Sequence, residues 1–279
     1  MAFIRYNTAI SVLVVVGGHP FDRNSLAGLF EGMDGVAATF VDHPAAMQLM
    51  TVEGMRGFDA LILYDVPGID LRRGMAEQKP DVVAPTAEFC AAFLRLLDNG
   101  KGVLALHHAI AGWPAWEGYA EILGGRFAYL SGRLRGKDVV DSGYLQYVTY
   151  DAVVVEPQHP LTARLPPRFS LTDELYLFEV FHDSITPLLV ADRRFRDADF
   201  FSAEAAVAHG RMHDNAGWSH AEGSNVLAWV KRAGNSPLVY VQPGDAAPTF
   251  ADPNYRLLIE NAVRWVSSDS ARQWDGEAV

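Results

Sequence analysis

The chain holds a single cysteine, Cys90, in 279 residues. One thiol excludes an intramolecular disulfide and any cysteine-rich metal knuckle. Cys90 lies between Phe89 and Phe93 and reads as a small buried apolar residue. Long apolar runs are missing too: no stretch reaches the roughly 18 residues that a membrane helix requires. The early apolar run at 10–16 ends in Gly17-Gly18-His19-Pro20 without a small-x-small cleavage site, so it reads as a first strand and not as a signal peptide. A cytoplasmic protein without a membrane partner is the expectation. Basic residues are the minority, 23 against 34 acidic, for a formal net charge of −11. That balance repels nucleic acid unless a local basic patch overrides it. The densest basic stretch, Arg133, Arg135 and Lys137, is short and runs into Asp138 and Asp141. Neither a G-x-S-x-G elbow nor a P-loop or G-x-G-x-x-G motif is present, which argues against nucleotide-dependent chemistry.

What the chain does have is apolar mass: 49% hydrophobic and 20% charged residues, the composition of a globular protein with a sizeable core. Residues 11–16 form a β-branched run stopped by Gly17-Gly18, and 25–33 can form a helix. A second strand is expected at 37–41. Thr51 can cap a short helix, and a third strand at 58–63 ends in Tyr64-Asp65. Runs apolar on both faces belong in a parallel sheet covered by helices. The clearest helix follows Pro85, with Thr86 as cap, Phe89, Phe93 and Leu97 at helical spacing, and Asn99-Gly100 as stop. The buried run Gly102–Leu106 comes next, and strand, helix, strand in this order predicts a right-handed crossover. Further strands are expected at 145–156, 188–191, 226–230 and 238–242. The prolines at 157, 160, 166 and 167 demand loops, 193–225 reads as an irregular surface excursion, and Pro253 opens a terminal helix. The tail, 268–279, reads as frayed. No linker divides the chain, so one α/β domain over 1–279 is expected, with a doubly wound, mostly parallel sheet and helices on both faces.

Ligands of open α/β sheets bind beyond the carboxyl ends of the strands. That rule selects His19 and Asp22 after the first strand, Asp65 after the third, His107 and His108 after the fourth, and Asp245 after a late one. Imidazole can act as base, acid or metal ligand near neutral pH. Neighbours on a regular strand cannot both face one pocket, but a sharp turn at the strand end relieves this. A pair of histidines satisfying backbone carbonyls is the plain alternative. His19 follows two glycines that let the backbone approach a ligand closely. Glu174, within Asp173-Glu174 and upstream of His182, can serve as acid, base or ligand, or stand solvated. Trp113 and Trp116 can stack on a sugar ring or seal the core. His209 and His213 have the spacing of a helical metal pair, but Gly210 between them weakens it.

In order, these motifs resemble the ThuA-like (trehalose utilisation) family. They are Gly17-Gly18-His19, Tyr64-Asp65, Gly102-Val103-Leu104-Ala105-Leu106-His107-His108-Ala109 and Gly124-Gly125-Arg126-Phe127. His159-Pro160-Leu161-Thr162, Asp173-Glu174-Leu175-Tyr176 and Val226-Leu227-Ala228-Trp229 follow, then 240–244 and a closing helix with Asn261-Ala262-Val263-Arg264-Trp265. The resemblance implies a flavodoxin-like, class I glutamine amidotransferase-like sheet. In amidotransferases a cysteine nucleophile stands at the turn after the strand that here ends at Leu106. His107 takes that place, so the resemblance implies no amidotransferase activity. It implies instead a part in disaccharide or keto-sugar catabolism. The chain departs from the pattern at Gly244-Asp245, where relatives often carry Gly-His.

The leading expectation is an enzyme acting on a small sugar or oxidised sugar. His107 or His108 transfers protons, Glu174 is a second acid/base or ligand, and His19, Asp65, Trp113 and Asp245 hold the substrate. A divalent metal, zinc or manganese, is compatible with this set but not required by it. A non-catalytic sugar-binding or regulatory protein is the alternative, and a metal-dependent hydrolase of a small amide or ester a third. A homodimer is expected only because homodimers are common.

Overall fold

The computed structural model of the chain describes residues 9–71 and 80–276. Its strands are β1 (Ile10–Gly17), β2 (Val36–Asp42), β3 (Ala60–Asp65), β4 (Gly102–Leu106), β5 (Gly143–Val154), β6 (Arg168–Leu177), β7 (Thr186–Ala191), β8 (Val226–Ala233) and β9 (Ser236–Val241). The helices are α1 (Arg23–Glu31), α2 (Ala87–Asp98), α3 (Glu117–Leu123), α4 (Ala203–His209), α5 (Ala247–Ala251), α6 (Pro253–Val266) and α7 (Asp269–Gln273).

Alternation along each strand assigns its residues to one of two cores. Val12, Val14, Leu104 and Leu106 pack with Leu26 and Phe30 of α1 and Leu258 and Ala262 of α6 on one face. Leu13, Val15, Val103 and Ala105 pack with Phe89 and Phe93 of α2 and Leu123 of α3 on the other. Helices therefore cover both faces, which is why the parallel strands read as uninterrupted apolar runs.

In the main sheet the order is β6-β5-β7-β8-β9-β4-β3-β1-β2, with the short strand Phe201–Ser202 added at β5. From β9 to β2 the pairs are parallel. From β9 back to β6 they are antiparallel. Parallel pairing puts the carboxyl ends of β1, β3, β4 and β9 on one rim: Gly17 is in register with Asp65, and Val241 with Leu106. The antiparallel wing then returns to that rim. Tyr176 N–H of β6 donates to the Gln242 side chain just past β9 (3.0 Å), and Gln242 in turn donates to the Val226 carbonyl of β8 (3.3 Å). A register shift in β5 between Leu145 and Val148 marks where its pairing with β6 is irregular, the kind of bulge that bends a strand.

Three segments differ from the sequence reading. Residues 168–177, which follow the proline-rich loops and carry no expected element, form the ten-residue strand β6. The excursion at 193–225 contains α4, capped by Ser202 and ended by Gly210 at φ +64°. The tail expected to fray from 268 is helical over Asp269–Gln273. Ser268 caps it, Ala271 is buried, and Trp274 packs on Trp265. Two apolar anchors suffice to hold that polar segment down. Among the described residues no helix is long and apolar enough to cross a membrane.

Candidate functional site

The centre of the rim is the step from β4 into the turn His107–Ala111. His107 has φ +38°, a backbone region that costs a non-glycine residue about 1–3 kcal/mol. That turn defeats the alternation that would send neighbouring side chains to opposite faces. The His107 and His108 rings lie 4.4 Å apart, and both residues are buried. Room is made by Gly244, at φ +134°. A Cβ there would sit 2.5 Å from the Tyr255 hydroxyl oxygen and 3.7 Å from His107 Cβ.

His107 donates from Nδ1 to the Gln242 carbonyl (2.5 Å) and presents Nε2 to Glu174 Oε2 at 3.2 Å, with Asp245 Oδ1 at 3.8 Å. Two acceptors facing one ring call for a proton on each nitrogen. Burial alone would push its pKa down. The hydrogen bond to Glu174 and the charges of Asp245, Glu174 and Asp173 more than reverse that, to about 9. His107 is thus an imidazolium at neutral pH. His108 is the opposite. Burial, then the neighbouring His19 and His107, hold it well below the ordinary range, and it stays neutral. Its Nδ1 hydrogen-bonds the Tyr176 hydroxyl (3.2 Å), and its buried Nε2 has no hydrogen-bond partner, with Asp245 Oδ1 3.6 Å away. The His19 ring lies over His108, centroids 3.9 Å apart, and burial lowers its pKa.

The carboxylates divide their work by strand alternation. Glu174 and Tyr176 project toward the histidines. Asp173, on the opposite face of β6, accepts from the backbone N–H groups of Gly244 (2.5 Å), Asp245 (3.2 Å) and Ala246 (3.2 Å). Burial raises the Asp173 pKa to about 6 against the pull of His107 and of the Gly244 and Glu174 amides. Burial also raises that of Asp245, opposed by His107.

Beside this cluster lies a largely apolar cavity of about 190 Å³. Phe127, Tyr129, Tyr144 and Tyr176 line it, Ala203 and Ala206 of α4 close it, and Glu174 and His19 supply its polar edge. On the far side of His19-Pro20 is an open polar cavity of about 640 Å³, bordered by Arg23, Asp42, His43 and Asp70.

Of the residues expected at the rim, His19, His107, His108, Glu174 and Asp245 come together. The others do not. Asp65 is buried against His43 (Nδ1 to Oδ2 3.3 Å), so its partner is a loop imidazole and not a ligand. Trp113 is only 5% exposed and packs on His43 and Phe89, so it seals the core and offers no face to a sugar. Trp116 packs on Phe93 and Tyr119. Asp22 caps α1. Gly18 serves close packing within the protein: at φ +80°, a Cβ would meet the Val66 carbonyl oxygen at 2.2 Å. His209 ends α4 and His213 lies beyond it, bonded to Gln146, so no helical pair forms. His182 is exposed. Arg135 is held by Glu121 and Asp183, so the basic stretch is no anion site.

The family profile described as trehalose utilisation, ThuA, matches residues 12–266. The chain belongs to the ThuA family. Among curated proteins none matches the sequence. A solved structure described as ThuA-like, from Parabacteroides merdae, aligns with a TM-score of 0.63 at 15% identity, covering 93% of this chain and 90% of that one. Another, from Bacteroides uniformis, gives 0.61 at 15% identity over 95% and 94%. A Thermoplasma acidophilum protein described as part of a GMP synthase gives 0.50 at 10% identity over 92% and 94%. At such identities the likeness carries the fold alone, and that fold is the glutamine amidotransferase-like one. In this ThuA chain the turn after β4 carries His107, while Cys90 lies in α2.

Sequence reasoning missed Asp173 as the clamp on the Gly244–Ala246 backbone, Gln242 and Tyr176 as the groups that aim the two imidazoles, and α4 as a pocket wall. The alternation of Phe169, Leu171, Asp173, Leu175 and Leu177 was the available signal for β6. Nothing local marked the rest.

Proposed function

We propose that this ThuA-family chain is an enzyme of carbohydrate catabolism that transfers protons on a sugar or keto-sugar. Glu174 is the proton-transferring group. His107, charged and pinned by the Gln242 carbonyl, holds that carboxylate in place. One observation carries the reading: among the described residues, Glu174 alone both lines the aromatic cavity and bonds the buried imidazolium. A carboxylate beside a fixed cation, at the edge of an apolar pocket, is placed to take a proton from a carbon next to a carbonyl, or to give one to a departing oxygen. Phe127, Tyr129, Tyr144 and Tyr176 give the cavity an aromatic lining suited to the apolar face of a sugar ring, and His19 stands at its polar edge for the hydroxyls. The cavity volume accommodates one ring, so a disaccharide would leave its second ring outside, toward the larger polar cavity. Placement in the cytoplasm goes with this role.

The test is a panel of disaccharides and their 3-keto forms offered to the wild type and to His107→Ala and His108→Ala. Consumption of at least one compound by the wild type, lost in His107→Ala, is expected. Saturable binding without turnover of any compound would instead make the chain a sugar-binding or regulatory protein. Full turnover in both variants would remove the proposed machinery.

A further inference from the structure

We propose that His107, His108 and Asp245 form a binding site for one divalent first-row transition ion such as zinc. The inference concerns the same crevice as the sugar reading but stands without it, because the site is assembled from the chain's own residues whatever the substrate. Among the described residues, these three are the group whose donor atoms all lie within 4.8 Å of one another. Nε2 of His107 and Nε2 of His108 stand 3.8 and 3.6 Å from Asp245 Oδ1. Ligands about 2.0 Å from a tetrahedral zinc lie roughly 3.3 Å apart, so both distances to Asp245 come within about half an ångström of that spacing.

The orientation of the rings is the stronger argument. Metal-binding imidazoles turn their other nitrogen to a protein acceptor, which fixes the ring and frees a lone pair for the ion. Both histidines are anchored through Nδ1, His107 on the Gln242 carbonyl and His108 on the Tyr176 hydroxyl; the Nε2 lone pair is free on His108 and becomes free on His107 once its Nε2 proton is given up. The second, independent observation is the His108 Nε2 atom. It is fully buried, aimed at Asp245, and without a hydrogen-bond partner. Leaving such a group unpaired in a folded interior is costly, and an ion removes that deficit.

The oxygens point the same way. Glu174 Oε2 and Asp245 Oδ1 lie 3.2 and 3.8 Å from His107 Nε2, a gathering of acidic oxygen donors that suits a dication. Asp173 supplies the outer support, since its carboxylate holds the backbone that carries Asp245. Binding of the ion displaces the Nε2 proton of His107 to solvent and takes the place of its hydrogen bond to Glu174. Glu174 is then the free carboxylate next to a Lewis acid, on the side that opens to the aromatic cavity. Three protein ligands leave a fourth position for water or a substrate oxygen, the pattern of catalytic and not structural zinc sites.

The experiment uses the full chain without an affinity tag, stripped with chelator and titrated with Zn²⁺, Co²⁺ and Mg²⁺ in the absence of sugar. One Zn²⁺ or Co²⁺ per chain should bind, the cobalt form showing the visible bands of a four- or five-coordinate site, and Mg²⁺ should bind at least 100-fold more weakly. His108→Ala and Asp245→Asn should each weaken Zn²⁺ at least 100-fold, while His213→Ala, outside the site, leaves it unchanged. A thermal melt of each variant without metal shows whether it folds, and Co²⁺ absorption on the wild type reads the site where a variant does not. No binding to the wild type, affinity unaltered in a folded His108→Ala/Asp245→Asn double variant, or a preference for Mg²⁺ would overturn the assignment. A sugar panel with no turnover would leave the metal result intact, and the reverse holds equally.

Discussion

The Nδ1 proton of His107 goes to the main-chain carbonyl of Gln242, 2.5 Å away, and joins the end of β4 to the end of β9. That contact decides which nitrogen of His107 faces Glu174. It also makes the backbone between Gln242 and Ala246 part of the site, so substitutions in that loop should act on chemistry and stability together.

Gly244→Ala is the sharpest of these. At φ +134°, with a Cβ meeting the Tyr255 hydroxyl oxygen at 2.5 Å, alanine should cost about 2–3 kcal/mol and push the loop off His107. Gly132→Ala, with nothing within 4 Å of its Cβ, should stay within about 0.5 kcal/mol. Urea unfolding of the two variants makes the comparison, and equal stability would refute the packing account.

Asp173→Asn replaces a carboxylate that accepts from three successive amides. An amide can accept from one side only, so about 2–3 kcal/mol of stability should be lost. Activity should fall with it, because Asp245 is carried on the released backbone. A variant as stable as the wild type would show that the loop is held by something else.

His159 gives the chain a pH-dependent weakness far from the crevice. Its Nδ1 accepts from Leu161 N–H, its Nε2 has no partner, and Trp265 and Trp274 flank the ring. Burial lowers its pKa from 6.5 to about 4. Because the folded value lies below the unfolded one, the full stability is present above pH 6.5 and is lost as pH falls toward 4. The loss should be about 3 kcal/mol by pH 4. His159→Asn keeps an acceptor for Leu161 and should flatten that part of the stability profile between pH 6.5 and 4. An unchanged slope would assign the acid sensitivity elsewhere.

The tail is the fourth test. Trp274 packs on Trp265 and His159, so Trp274→Ala should cost about 1–2 kcal/mol. A frayed tail would lose nothing.

How much of this could be read from residues alone depended on whether the cause was local. The run Gly-Val-Leu-Ala-Leu before two histidines announced a buried strand ending at a site, because burial on both faces leaves an unbroken apolar run. The fold followed from the order of the motifs. What stayed hidden was settled by contacts between distant segments. Asp65 was placed at the correct strand end, but its neighbour His43 comes from a loop after β2. Asp173 and Glu174 are adjacent in sequence and opposite in role, a difference set by which face of β6 each occupies. Four nearby prolines masked the alternation of β6. Trp113 stood just past the histidines, yet it turns inward at φ +46°. The α4 wall of the pocket lies in a polar stretch whose alanines carry little periodic signal.

The central claim is that Glu174 does proton chemistry on a sugar held in the aromatic cavity. Glu174→Gln keeps the side chain's size and a hydrogen-bonding oxygen toward His107 but cannot exchange a proton. On whichever sugar the wild type consumes, kcat should fall 10²–10⁴-fold while KM changes by no more than a few fold. A variant that retains wild-type kcat on that sugar would contradict the account.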